Sequence, residues 1–149
     1  MLRKHKTASN MPRLLSALPF WLHLLIELPA SVNFFLNPSE QLSSPAPQAH
    51  AIIEQYAVLL FVSTLIALIF ALRPIDRTSR SVAAALSVYH LAPLVRAGSR
   101  IVEGSGDYGK GLGGPIVHLI VHLVCFGALL GVFMSNSRAN ESAKMGHRM

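Results

Sequence analysis

Charge is scarce in this chain. Asp, Glu, Lys and Arg make up only 13% of its 149 residues, and only 7 of them are acidic. So little charge beside so much apolar residue excludes a disordered chain. Cysteine is nearly missing: Cys125 stands alone, which excludes an internal disulfide framework and a Cys-rich zinc module. What is present is apolar residue, 52% of the total. The length is that of one domain, and the apolar content is too continuous for an ordinary small soluble one. The net charge of +6 would indicate a nucleic-acid partner only if the basic residues formed a patch. They stand instead at the ends of apolar runs, so no nucleic-acid partner is expected. The expected surroundings are a lipid bilayer.

A hydrocarbon core about 30 Å thick needs roughly 20 apolar residues in a helix. Four stretches meet that requirement: Leu14 to Leu36, Ala51 to Leu72, Ser81 to Val102 and Pro115 to Met134. The expected fold is all-α, a polytopic bundle of four transmembrane helices in one domain, 1–149. A basic N-tail, 1–13, and a polar C-tail, 135–149, flank it. Pro29 and Pro93 fall inside spans, where neighbouring helices can re-satisfy the freed carbonyls. The loop from Glu103 to Gly114 holds 6 glycines. Of the 13 basic residues, only Arg96, Arg100 and Lys110 fall at the end of the bundle away from the tails. By the bias of Lys and Arg toward the cytoplasmic side, both termini are expected to be cytoplasmic. A glycan on the sequon Asn140-Glu141-Ser142 would invert that topology. The first span, carrying His23 and Glu27, reads as a signal anchor rather than a cleaved signal peptide. The expected location is the endoplasmic reticulum or another endomembrane. The acid-free, basic first 26 residues make a mitochondrial membrane the alternative.

Ionisable groups inside membrane spans are rare and face the bundle interior. Here they are numerous. His23 and Glu27 lie one turn apart on one face, with Asn33 further along the same span. Glu54 opens the second span. Tyr89, Pro93, Arg96 and Arg100 share one stripe of the third, with His90 beside them. His118 and His122 are again four apart in the fourth. Glu27, Glu54, Arg96, Arg100, His118 and His122 fall in the same half of the bundle, which implies a polar cavity entered from the non-cytoplasmic side. A His-x-x-x-His pair also suits zinc or iron, with Glu27, Glu54 or His23 completing the set. The main reading has no metal and no cofactor, and keeps His118 and His122 as the alternative metal ligands. Gly127 and Gly131 form a small-residue packing motif on the other side of the fourth helix, suited to a second copy or a partner membrane protein.

The sequence Leu22-His23-Leu24-Leu25-Ile26-Glu27 resembles the His-x-x-x-Glu helix of the EXPERA superfamily, the emopamil-binding sterol isomerases and their relatives. Glu54 is placed like that family's second glutamate. Ser87-Val88-Tyr89-His90 followed by Pro93 looks like its sterol-binding members. The resemblance implies four spans, cytoplasmic termini and a lipophilic, sterol- or terpenoid-like ligand. It also implies double-bond isomerisation without a cofactor, with Glu27, His23 and Glu54 as catalytic groups; the polar cavity inferred from the spans places Asn33, Tyr89, His90, Arg96, His118 and His122 around the ligand. The chain departs from the family in a short first loop, in Arg96 and Arg100 where an acid is expected, and in His118 and His122 where the isomerases have Trp and Asn. Pro29 to Phe35 and Ala71 to Pro74 also look like small multi-span proteins of filamentous fungi, some encoded beside secondary-metabolite genes. That likeness implies an alternative function as a non-enzymatic accessory or scaffold protein of a biosynthetic pathway. A small proton-coupled carrier or a metal-dependent membrane enzyme is the third reading.

Overall fold

A computed structural model describes residues 11–42, 44–104 and 113–135. Residues 1–10 of the basic N-tail, Lys110 with the centre of the glycine-rich loop, and residues 136–149 of the C-tail, Asn140 among them, lie outside the described residues; residues 11–13 are already part of the first helix. Within them the regular structure is all helical: α1 (Met11–Leu36), α2 (His50–Ala71), α3 (Arg77–Tyr89), α4 (Leu91–Val102) and α5 (Gly114–Met134). Two short 3-10 turns, Pro38–Gln41 and Pro47–Ala49, connect α1 to α2.

Three stretches are long and apolar enough to cross a membrane: Leu15–Leu36, Pro47–Ala71 and Gly114–Met134. Their burial pattern is the reverse of a soluble protein's. His23 is 0% and Glu27 2% exposed, whereas Leu25 between them is 65% exposed. Leu59, Ile69, Ile120 and Leu123 also face outward. A continuous outward apolar surface suits lipid, not water. Their length, composition and outward apolar faces are compatible with an integral membrane protein.

The stretch expected as a third span, Ser81 to Val102, is two helices joined at His90. Pro93 explains the break. It has no N–H to give the carbonyl of Tyr89, and its ring crowds that carbonyl. The chain tightens there, with the His90 N–H bonded to the Ser87 carbonyl, and α-helical bonding resumes where the Leu94 N–H meets the His90 carbonyl. Pro19 and Pro29 leave α1 continuous.

α1 packs along α2, and α3 and α4 both pack on α5, with α1 also touching α5. Ring contacts fix the direction of the first pair. Phe20 meets Phe70 at 6.0 Å and Phe34 meets Tyr56 at 5.9 Å, so α1 and α2 are antiparallel. Small residues on α2 (Ala57, Ala67 and Ala71) are buried and allow this close approach. At one end of the bundle Phe20, Ala67, Ala71, Ala83, Leu86, Leu129 and Val132 close an apolar core. The polar residues lie beyond it, toward the other end.

Two local devices set the helix starts. Asp76 caps α3: its carboxylate accepts from the Ser79 N–H at 2.7 Å, and the Ser79 hydroxyl accepts from the Asp76 N–H at 3.3 Å. The Ser79 N–H foremost, and then the Ser79 hydroxyl donating to the same carboxylate at 2.9 Å, hold the Asp76 carboxyl below the usual carboxylate range. Gly113 and Gly114 have φ of +92° and +77°. That left-handed backbone is open to glycine at little cost, and it turns the chain into α5 immediately before Pro115.

Candidate functional site

The 3.6-residue period of α1 places Ala17, Phe20, His23, Glu27 and Ser31 on its buried stripe. Glu27 therefore points between the helices just past the apolar core. It forms the floor of a cavity of about 300 Å³ whose lining includes Tyr56, Tyr89, Arg96, His118 and His122. That volume is at the lower end of the range for small-molecule sites. Arg96 is exposed at the cavity, while Glu27 and His122 are buried in it.

A hydrogen-bonded network runs behind this floor. The Tyr89 hydroxyl donates to Glu27 Oε2 at 3.1 Å, and the Tyr56 hydroxyl lies 3.2 Å from that of Tyr89. His23 Nε2 is 3.1 Å from Ser63 Oγ, and His23 Nδ1 is 3.0 Å from His90 Nε2. His90 Nδ1 is 2.9 Å from His122 Nδ1. Glu27 Oε1 lies 3.6 Å from His90 Nδ1 and 3.5 Å from His122 Nδ1, too long for a hydrogen bond, and it has no hydrogen-bond partner. A buried carboxylate oxygen without a partner is costly and demands a physical reason.

The network also fixes the histidine tautomers, read as neutral rings. The Ser63 hydroxyl gives its one proton to the Leu60 carbonyl at 2.7 Å, so toward His23 it can only accept. His23 must then carry its proton on Nε2 and accept at Nδ1. His90 in turn donates from Nε2 to His23, which leaves its Nδ1 as a lone pair. His122 fills the gap by donating from Nδ1.

No protein-family model, curated protein or solved structure matches this chain.

The structure brings together His23, Glu27, Tyr89, His90, Arg96, His118 and His122 in or behind the cavity. Glu54 and Asn33 do not join them. Glu54 is half-buried on α2 and is not part of the cavity wall, because that helix presents Tyr56 and Leu60 to the cavity. Two residues of separation turn Glu54 about 200° from Tyr56. Asn33 accepts instead from the Asn37 side chain at 3.0 Å, while Ala30 and Phe34 take the cavity positions on α1. Arg96 forms no ion pair with Glu27; the charged-type neighbours of that carboxylate are His90 and His122. The His118 ring is tilted 31° against that of His122 at 6.0 Å between centroids, but the close partner of His122 is His90 at the α3–α4 junction. Tyr56 and Ser63 are the members that spacing alone missed. Ser63 had one signal, as one of two polar residues between Ala57 and Leu72.

Proposed function

We propose that this chain is a four-span membrane protein that binds a lipophilic molecule, sterol- or terpenoid-like, with one polar group directed at Glu27. The observation that carries the reading is Glu27 itself. Its side chain is buried at the floor of the cavity, with Oε2 bonded to Tyr89 and Oε1 left without a hydrogen bond. Apolar walls from Ala30, Phe34, Leu60 and Ala92 suit an apolar body, and the polar floor suits a hydroxyl or similar group. One carboxylate reaches the cavity, not two, so the reading supported is binding; an isomerase pairing Glu27 with Glu54 is not.

α3 and α4 together, from Arg77 to Val102, supply the fourth crossing of this proposal, kinked at His90. Four crossings put both termini on one side, and the Lys and Arg bias makes that side cytoplasmic. The cavity then opens away from the cytoplasm. Endoplasmic reticulum or a related endomembrane is the proposed location.

Mass spectrometry of organic extracts tests the binding reading. Wild-type protein purified in detergent should carry a lipophilic molecule in stoichiometric amount. A folded Glu27→Gln variant should carry far less. Bulk membrane lipid alone in both extracts overturns it.

A second reading, an accessory protein docking on a membrane partner, is favoured by one feature. Gly127 and Gly131 face outward on α5, with nothing within 4 Å of where a Cβ would stand. Crosslinking from that face to a partner chain is its test.

A further inference from the structure

We infer that Glu27, His90 and His122 form a site for one divalent transition-metal ion, zinc fitting best, with a fourth position open to the cavity. The inference goes beyond the ligand reading and does not depend on it. It rests on three donor atoms from three separate parts of the bundle: Glu27 Oε1 on α1, His90 Nδ1 at the α3–α4 junction and His122 Nδ1 on α5. They form a triangle with sides of 2.9, 3.5 and 3.6 Å. A point equidistant from these corners lies about 1.9 Å from each in their plane, and zinc takes N and O ligands at roughly 2.0–2.2 Å. The ion therefore sits a fraction of an ångström out of the plane. That is the pyramid of a tetrahedral ion with one position free, the arrangement of zinc sites that keep an exchangeable ligand.

The atoms are also chemically ready. Glu27 Oε1 is buried and has no hydrogen-bond partner, which an ion would supply. His90 presents a lone pair at Nδ1 because Ser63 and His23 hold its proton on Nε2. Of the three, only His122 must change tautomer, its ring proton moving from Nδ1 to Nε2 so that Nδ1 offers a lone pair. The outer partners match what metal ligands need. His90 is oriented through His23 and Ser63, and the Glu27 carboxylate is oriented by Tyr89. Such partners fix ring orientation and tune affinity. His23, Glu27 and His90 also bring one donor atom each within 4.8 Å of one another. Both nitrogens of His23 are already engaged, however, whereas Glu27 and His122 line the cavity and give the ion access to it. The polar group of a bound molecule would then complete the ion's fourth position.

The test is metal analysis of the full-length chain, purified in detergent with a tag that binds no metal and without chelator. About one zinc or other first-row ion per chain is expected in wild type. His90→Ala and His122→Ala should each lower the content about tenfold or more, and His50→Ala, at the start of α2 and outside the cavity lining, should leave it unchanged. Circular dichroism and size exclusion establish that the variants remain folded. Wild-type protein, stripped by chelator and titrated with cobalt(II), gives a second readout that needs no variant. The visible spectrum of a four-coordinate ion should appear and be displaced by zinc. Wild-type protein that neither carries metal nor binds cobalt overturns the site, as does a His90→Ala/His122→Ala double variant that keeps its metal. An empty organic extract from metal-loaded protein would defeat the ligand reading alone.

Discussion

The Nδ1 atoms of His90 and His122 face each other at 2.9 Å in the interior, from positions separated by 32 residues of chain. Two ring nitrogens at that distance share one proton or one ion. Everything around them selects which nitrogen holds the proton, and the selection begins at the Leu60 carbonyl.

The tautomers are therefore a first prediction. In metal-stripped protein, His23 and His90 should be protonated on Nε2 and His122 on Nδ1. Nitrogen-15 NMR of histidine-labelled protein distinguishes the two ring positions. A His90 ring protonated on Nδ1 would contradict the relay. Ser63→Ala should free the Nε2 proton of His23 and blur the assignment at both His23 and His90.

Tyr89 supplies the one hydrogen bond that Glu27 accepts. A hydrogen bond to a charged group contributes about 1.5–3 kcal/mol. Tyr89→Phe should lower retention of the cavity molecule by roughly ten- to a hundredfold. Tyr56→Phe should act more weakly, since it reaches Glu27 only through Tyr89. Equal retention in all three proteins, measured in the organic extract, would show that Glu27 needs no orientation.

The apolar core below the cavity sets stability. Phe20 and Leu129 are both 0% exposed within it. Truncating such residues costs about 3–5 kcal/mol for Phe→Ala and about 2–5 kcal/mol for Leu→Ala. Phe20→Ala and Leu129→Ala should lower the midpoint of thermal unfolding in detergent. Leu25→Ala, on the outward face of α1, should change it little. Comparable losses at all three positions would contradict the inside-out assignment.

Asp76 gives a pH dependence whose sign is fixed. Its folded carboxyl titrates below the usual range because the Ser79 N–H and hydroxyl bond to it. The start of α3 is thus fully stabilised above the ordinary Asp range of about 4 and loses that contribution as pH falls through the lower folded value. Amide hydrogen exchange across Ser79–Ala83 should show constant protection from about pH 5 upward and a loss only in stronger acid. In Asp76→Asn the acid-dependent part should disappear.

Much of this was legible in the sequence, for a physical reason. An apolar run long enough to cross a bilayer has few other uses, so the runs that became α1, α2 and α5 could be read directly. Residues four apart on a helix share a face, so the pairing of His23 with Glu27 needed no tertiary knowledge. The stripe of Tyr89, Pro93, Arg96 and Arg100 lines the cavity although the helix breaks within it. Pro93 was expected to be accommodated within one span; the structure breaks the helix at His90 instead, because the proline ring obstructs the Tyr89 carbonyl.

Tertiary structure decided the rest. Helical spacing says which residues share a face and nothing about which faces meet. Sequence spacing paired His118 with His122; packing of α3 and α4 on α5 paired His90 with His122 instead. Glu54 matched the expected pattern of a second acid, yet Tyr56 occupies the cavity face of α2 because helix rotation, set by the small residues packed on α1, turned Glu54 away. The polar residues were chosen by the sequence; their distances, and so their chemistry, were chosen by how three separate parts of the bundle came together.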